Sequence, residues 1–303
     1  MDRVDSLTHA LVAAILAYSL GFPQLLPFVV IGAVIIDTDV LFSLISDRHP
    51  SLYLFVHGGI AHSFVGVVVM SALAYTGIAL AALTGFIDPA LLIRAGPGGF
   101  AAVLAGAFLH IAMDLPATPG IPLLAPKSDK KYALFILPGP SILLMAISLF
   151  FLCWMALGVV TFAQGMVAYS AIFVAFLLVR SVAFVASRPA LKGAFKVIPQ
   201  PDPRRWHAIY DDGDEWTVIE FRLGRGFGDP ACYPKYTWTD PEHIAPYLSV
   251  PEVRRLLYTS YIVTARNEGD TLVFADPVRE SGRLFYPPHF KRVAIDLHRH
   301  PAA

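Results

Sequence analysis

The amino-terminal part of the chain carries histidines and aspartates at spacings that suit metal binding. Asp5 and His9 are four residues apart, as are His110 and Asp114, so each pair lies on one face of a helix. Between these pairs lie further candidates, which are Asp37, Asp39, His57 and His62. Imidazole and carboxylate groups are ligands for zinc, manganese and iron. We therefore expect these residues to hold roughly one to three divalent ions, zinc first, with manganese and iron as alternatives.

A cluster of this composition suits metal-assisted hydrolysis. A metal-bound water becomes a nucleophile near neutral pH, and the metal stabilises the opposing oxygens of the reacting group. Our candidate catalytic residues are Asp39, His62 and Asp114. A carboxylate that is not fully engaged by metal would act as the base, and we favour Asp39. The alternative is a scaffold or regulatory protein whose metal site is structural, which closed coordination would indicate.

Charged residues are unevenly distributed along the chain. The 303 residues are 56% hydrophobic and 15% charged, with a mean hydropathy of +0.60. Residues 1–190 contain eight Lys or Arg, eight Asp and no Glu, whereas residues 191–303 contain fifteen basic and fifteen acidic residues. This contrast predicts a membrane domain over 1–190, a linker over 191–205 and a soluble domain over 206–303. The net charge of zero gives no sign of nucleic-acid binding.

Four apolar stretches are long enough, with their flanks, to cross the hydrocarbon core of a bilayer as helices. They are residues 63–83, 100–113, 142–162 and 166–186. An earlier apolar region has two shorter arms, 9–20 and 24–36, separated by Gly21-Phe22-Pro23. It forms either one kinked span or a helical hairpin that enters the bilayer and returns, and Gly with Pro favours the hairpin. The predicted membrane domain is therefore all-α, with a re-entrant hairpin and about four transmembrane helices.

The hairpin would place nearly all cations of the membrane domain on one side of the bilayer. Arg94 alone would lie on the opposite side. Because Lys and Arg in short loops mark the cytoplasmic face, we expect loops 37–61 and 114–138 and the C-terminal domain to be cytoplasmic in an inner membrane protein. Antiparallel pairing of the first two long stretches also returns His110 to the side of His62. We therefore expect the metal site at this face.

Several short motifs occur in an order that resembles a known family. They are Asp5-Ser6-Leu7-Thr8-His9, Ile36-Asp37-Thr38-Asp39, His57-Gly58-Gly59-Ile60-Ala61-His62-Ser63, His110-Ile111-Ala112-Met113-Asp114 and a Pro-rich stretch from Thr118 to Pro126. Together they resemble the YdjM-type membrane-bound metal-dependent hydrolases over roughly residues 1–138. The resemblance implies a helical, membrane-embedded, metal-dependent hydrolase. A more distant similarity to the zinc phospholipase C and P1 nuclease group implies a phosphoester substrate.

The resemblance also assigns roles to individual residues. The positions that match the family's ligands are His9, Asp37, Asp39, His62, His110 and Asp114. Asp5 and His57 fit either as further ligands or as groups that orient an imidazole. Gly58 stands where the family usually has arginine, and Ile36 stands where it usually has proline. If that arginine binds a phosphate, its replacement changes the substrate or weakens catalysis.

The C-terminal region has the pattern of a small β-rich domain. Its predicted strands are residues 206–210, 215–223, 255–265, 271–275 and 292–297. Short helices are predicted at 241–247 and 251–257. We expect this domain to offer a surface for a protein partner. The membrane domain is expected to contact membrane lipids and a small phosphoester or lipid-like substrate.

Overall fold

The chain divides into two compact units. The computed structural model describes residues 6–139, 141–284 and 290–299. The helical unit is formed by Asp2–Ser43 and Phe55–Ser181. The C-terminal unit is formed by Leu44–Leu54 and Val182–Ala303. The prediction of a mostly helical N-terminal region and a C-terminal β-sheet domain is thus confirmed. The short segment Leu44–Leu54 of the N-terminal region, however, belongs to the C-terminal unit.

The helices that precede the first strand are mostly apolar. They are α1 (Ser6–Ser19), α2 (Leu26–Ile35), α3 (Ser43–Arg48), α4 (Phe64–Leu83), α5 (Ala90–Ala95), α6 (Gly98–Asp114), α7 (Ile142–Ala156) and α8 (Phe162–Ser187). The described residues contain three stretches that are long and apolar enough to cross a membrane, which are Pro23–Arg48, Phe64–Leu83 and Phe162–Ser187. The apolar helices α1, α6 and α7 are shorter. The number of membrane crossings therefore stays a prediction.

The two arms of the first apolar region fold back on each other. Helix α1 ends at Ser19, Gly21 adopts a positive φ of 79°, and Pro23 begins a short 3-10 helix that leads into α2. The Ser6 hydroxyl at the start of α1 donates to Asp37 Oδ2, just beyond the end of α2, over 2.5 Å. The two helices are therefore antiparallel, as in the hairpin and not in one kinked span. Entry of this hairpin into the bilayer stays a prediction.

Helices α2 and α6 approach each other closely through glycines. A Cβ atom on Gly106 of α6 would lie 2.0 Å from the Val29 carbonyl oxygen of α2. A Cβ atom on Gly32 of α2 would lie 1.9 Å from the Val103 carbonyl oxygen of α6. Both distances are far below van der Waals contact, so this approach of the two backbones requires glycine. Helix α4 packs against the same α6.

The segment between α6 and α7 has little regular structure, yet much of it is buried. Its prolines prevent a continuous helix. Ile121 and Tyr132 exchange two backbone hydrogen bonds, of 3.0 and 2.9 Å. The fully buried Ile121 side chain packs in one apolar cluster with Ile36, Ala61 and Ile111. This irregular segment therefore completes the core next to the predicted metal ligands.

Two four-stranded sheets build most of the C-terminal unit. The first is an antiparallel meander of β1 (Lys196–Pro199), β2 (Arg205–Asp211), β3 (Glu215–Arg222) and β4 (Gly226–Pro234). The second contains β5 (Tyr236–Thr237), β6 (Thr264–Glu268), β7 (Thr271–Ala275) and β8 (Arg292–Asp296). Strand β5 is parallel to β6, and the other pairs are antiparallel. Three short helices accompany them, α9 (Pro241–Ile244), α10 (Pro251–Thr259) and α11 (Pro277–Glu280).

The strands predicted over 206–210, 215–223, 271–275 and 292–297 agree with β2, β3, β7 and β8, whereas β1, β4 and β5 are not predicted and only the end of the strand predicted over 255–265 lies in β6. The predicted helix 251–257 is confirmed as α10, which continues to Thr259 and buries Val253 and Leu256, so the first part of the overlapping predicted strand 255–265 is helical. Strand β4 is not predicted because its glycines and prolines weaken the strand pattern. Such residues are common in strands at a sheet edge, where β4 lies.

Another difference concerns the start of the C-terminal unit. Strand β1 lies within residues 191–205, the predicted linker, and pairs with β2. Near the end of α8, Ala183 packs in one apolar cluster with Trp206, Ala208 and Phe221 of the first sheet. Part of the predicted linker is therefore a strand, and the last turns of α8 belong to the core of the C-terminal unit.

The glycine contact between α2 and α6 can be tested by adding one methyl group. We expect Gly106→Ala to lower the free energy of unfolding by about 1–3 kcal/mol, the usual cost of overpacking a core. Gly77→Ala is the matched control, because Gly77 lies in α4 with no other atom within 4 Å of the added Cβ. The free energy of unfolding of the Gly77→Ala protein should rise by roughly 0.5–1 kcal/mol, because alanine is more favourable than glycine inside a helix.

Apparent melting temperatures of the purified variants in detergent measure the difference. Equal stability of the Gly106→Ala and Gly77→Ala proteins would contradict the close approach of the two helices.

Candidate metal centre

Separate parts of the helical unit bring polar side chains into one buried cluster. His9 comes from α1, and His110 and Asp114 come from the last turns of α6. Asp37 lies in the 3-10 helix after α2, and His62 ends a 3-10 turn before α4. The three imidazoles are 0% exposed and Asp114 is 1% exposed. The structure thus brings together five of the eight predicted site residues.

One group of converging atoms consists of His9, His110 and Asp114, whose nearest ligand atoms all lie within 4.8 Å of one another. His9 Nε2 is 3.5 Å from Asp114 Oδ1, and His110 Nε2 is 3.6 Å from Asp114 Oδ2. The rings of His9 and His110 stack with centroids 3.9 Å apart. Ligands at 2.0–2.1 Å around a tetrahedral zinc ion lie about 3.3 Å from each other. These distances are therefore compatible with a shared ion.

A second group contains Asp37, His62 and His110. Asp37 Oδ1 lies 3.4 Å from His110 Nε2 and 3.8 Å from His62 Nε2. The two Nε2 atoms are 3.2 Å apart, and His62 Nε2 is also 3.2 Å from Asp114 Oδ2. His110 belongs to both groups, so the two groups overlap in one cluster.

The outer ring nitrogens of two histidines are held by acceptors behind the cluster. His62 Nδ1 is 3.0 Å from Asp39 Oδ2, and His110 Nδ1 is 2.6 Å from the Ala33 carbonyl oxygen. Because a carbonyl and a carboxylate oxygen accept hydrogen bonds, each Nδ1 carries the donated proton. This arrangement leaves each Nε2 directed at Asp37 and Asp114, as expected for metal-ligating imidazoles.

Asp39 faces away from the two ligand groups and is surrounded by donors. Its Oδ1 is 2.6 Å from His57 Nδ1, and its Oδ2 accepts the Gly58 N–H at 3.0 Å in addition to the His62 contact. Gly58 has a positive φ of 68°, which favours glycine at this position. Neither Asp39 nor His57 belongs to a converging ligand group among the described residues.

Two groups of the site were not singled out from sequence. Ser6 donates to Asp37 Oδ2 over 2.5 Å, and the Ala33 carbonyl receives His110. Ser6 lies inside the first motif, so its position beside His9 is a signal that could have found it. A backbone carbonyl leaves no such signal. Asp5, a further predicted ligand, lies outside the described residues.

Several polar atoms at the centre of the cluster lack hydrogen-bond partners. Within the described part of the chain, this is true of both carboxylate oxygens of Asp114 and both ring nitrogens of His9. A buried polar atom without a partner costs roughly 1–3 kcal/mol. A divalent cation between Asp114 and His9 would satisfy the carboxylate and His9 Nε2, so the donor set and its burial fit a metal ion.

The contact between Asp39 and His62 has a testable spectroscopic consequence. We expect the Nδ1 protons of His62 and His110 to give downfield signals in a ¹H–¹⁵N spectrum of the ring-labelled protein. Asp39→Ala removes the acceptor of His62, together with that of His57, but not the acceptor of His110, so the His62 signal should disappear into exchange with water. The His110 signal serves as the control within the same molecule, since Ala33 still accepts it. Persistence of both signals in the Asp39→Ala protein would contradict the assigned hydrogen bond.

Comparison with known proteins identifies the family of the chain. A family model described as YdjM inner membrane protein matches residues 4–189. No curated protein and no solved structure matches. The matched residues include every predicted site residue and the apolar helices. The chain therefore belongs to the YdjM inner membrane protein family.

Proposed function

We propose that the protein is a metal-dependent hydrolase of the inner membrane, acting on a phosphoester or a lipid-like compound that contains one. The observation that carries this proposal is the convergence of His9, His62 and His110 on the Asp114 carboxylate in a buried cluster. Imidazole nitrogens with one or two carboxylates are the usual donor set of hydrolytic zinc sites. Membership of an inner membrane family supports the location.

The residues that would hold an ion are His110 and Asp114, with His9 on one side of the cluster or His62 on the other. His110 has one nitrogen available, since its Nδ1 contacts the Ala33 carbonyl oxygen, so it serves one ion at a time. We propose that Asp39 orients His62 and that His57 supports Asp39 on its other oxygen. These contacts do not support Asp39 as the base, because both of its oxygens are engaged.

We propose that Asp37 takes the proton instead. Its side chain is 9% exposed, whereas that of Asp114 is 1% exposed, so Asp37 lies nearer to solvent. Ser6 donates to Asp37 Oδ2 and fixes the plane of the carboxylate. A divalent ion bound in this cluster would lower the pKa of a coordinated water and polarise a phosphoryl oxygen. Asp37 would accept a proton from the attacking water and release it towards solvent.

The second candidate function is a scaffold whose metal site is structural. The burial of the three imidazoles favours it, because a structural ion is enclosed by protein ligands and keeps no position for water. In that case the C-terminal domain would bind a protein partner. The two functions differ in whether a metal-loaded protein hydrolyses any substrate.

Metal content tests the site itself. We expect protein purified without chelator to contain zinc, manganese or iron at about one ion per chain, measured by mass spectrometry of the elements. Asp114→Asn and His62→Ala should each reduce this content at least about tenfold, because each removes a central ligand. His243→Ala is the matched control, since His243 is exposed in the C-terminal unit. Full metal content in both site variants would exclude this cluster as the metal site.

Activity separates the hydrolase from the scaffold. We expect the Asp37→Asn protein to retain its metal. Its rate of hydrolysis of a phosphoester that the wild-type protein hydrolyses should fall by about 10²–10⁴-fold, because the variant lacks the general base. Asp88→Asn, a change outside the cluster, should retain full activity. Loss of metal together with activity would assign Asp37 as a ligand. A metal-loaded wild-type protein that is inactive on phosphomonoesters, phosphodiesters and phospholipids would favour the scaffold.

A further inference from the structure

A short segment of the N-terminal region is built into the C-terminal unit. Residues Leu44–Leu54 cluster with that unit, although the residues on both sides belong to the helical unit. The segment contains most of α3 and the 3-10 turn Pro50–Leu52. Along the sequence it lies between Asp39 and His57, which contact each other in the candidate metal centre.

One end of this segment is held through Tyr53. Arg254 of α10 donates from Nη2 to the Tyr53 hydroxyl oxygen over 2.7 Å, and its Cζ lies 4.5 Å from the centre of the Tyr53 ring. The Tyr258 ring meets the same ring edge-on, with centroids 5.4 Å apart. Tyr53 is consequently buried, although it lies in a loop. A hydrogen bond, a cation–π contact and an aromatic pair thus act on one side chain.

The other end of the segment is held through Asp47. Its Oδ1 forms an ion pair with Nη2 of Arg255, the next residue of α10. Arg255 is 5% exposed and its Cζ lies 3.5 Å from the centre of the Phe290 ring. A buried guanidinium requires a charge partner, so loss of Asp47 would leave Arg255 poorly compensated. Two consecutive arginines of α10 therefore hold two points of the segment.

The ends of the segment continue directly into the site. The 3-10 helix Ile36–Phe42 that carries Asp39 runs into α3 without a break. The Ser43 hydroxyl oxygen accepts the backbone N–H of His57 at 3.4 Å. Tyr53 precedes His57 by four positions in the chain. Fixing Asp47 and Tyr53 therefore restricts the backbone that leads to Asp39 on one side and to His57 on the other.

We propose that Arg254 and Arg255 of the C-terminal domain are positioning residues for the metal centre. They hold the segment Leu44–Leu54 and thereby set the position of Asp39, which in turn orients the His62 ring. The consequence for metal binding rests on the proposed function. The consequence for backbone order at His57–His62 does not, which allows the two to be tested separately.

Hydrogen exchange measured by mass spectrometry on the full chain in detergent tests the positioning. Asp47→Asn removes the charge partner of Arg255 at an exposed carboxylate, and Tyr53→Phe removes the Arg254 hydrogen bond while keeping the ring. We expect each to speed exchange about tenfold at His57–His62 as well as at Leu44–Leu54, with little change in α4. Asp47→Glu should restore slow exchange.

Arg292→Gln is the matched control, because it breaks an exposed ion pair with Glu268 in the same unit. It should leave exchange at His57–His62 unchanged. The proposal is overturned if the Asp47→Asn change is confined to Leu44–Leu54, or if exchange rises equally throughout α4, which would indicate general loss of stability.

Zinc affinity, measured by competition with a chromophoric chelator, tests the link to the site. We expect Asp47→Asn to weaken zinc binding about tenfold, in the range seen when groups behind a metal ligand are lost, and Asp47→Glu to restore it. Unchanged affinity despite faster exchange at His57–His62 overturns the link. If the wild-type protein binds no zinc, manganese or iron, the proposed function fails, while the exchange measurements still decide whether the two arginines position His57.

Discussion

The burial of Asp114 among imidazoles is the constraint on which the helical unit depends. An ionised carboxylate in an apolar interior is costly unless opposite charges or donors surround it. His9, His62 and His110 all place a nitrogen within 3.6 Å of its two oxygens. Since those histidines come from separate parts of the chain, the groups that could compensate the carboxylate, as charged imidazoles or through a shared cation, meet only when all of these parts are in place. The polar cluster and the packing of the helices are therefore formed together.

The close approach of α2 and α6 serves the same cluster. Gly32 and Gly106 allow the two backbones to touch, and the neighbouring Ala33 carbonyl of α2 then lies 2.6 Å from His110 Nδ1 of α6. A wider separation of the helices would remove this acceptor and free the His110 ring to turn. The glycines thus contribute to the orientation of the His110 ring although they carry no chemistry themselves.

Much of this organisation follows from the sequence, for identifiable reasons. The scarcity of charge in residues 1–190 makes each buried His or Asp conspicuous, and helical spacing pairs His110 with Asp114. The sequence does not show that Asp37 and Asp39 have different neighbours. The two side chains point in different directions because they are two residues apart in a 3-10 helix, and the sequence alone does not reveal that helix. The contacts of Asp39 with His57, Gly58 and His62 are the reason that we propose Asp37, and not Asp39, as the proton acceptor.

The strands and helices of the C-terminal domain follow less directly from the sequence. Strand β4 contains Gly226, Gly228 and Pro230 and is stabilised by its pairing with β3 and not by its own pattern. The sequence supports both a helix over 251–257 and a strand from residue 255, and the structure has the helix, which continues to Thr259 and buries Val253 and Leu256. Such choices depend on contacts between residues that are distant in the chain.

The residues matched by the family model end at residue 189, while the partners of Tyr53 and Asp47 lie beyond residue 250. Tyr53 and Asp47 thus lie within the region matched by the family model, but their side chains contact a domain outside that region. In a relative that lacked this domain, an aromatic at the position of Tyr53 would be exposed, and no buried guanidinium would require a carboxylate at the position of Asp47. These two positions should therefore vary with the presence of the β-sheet domain, and not with the His and Asp residues of the buried cluster.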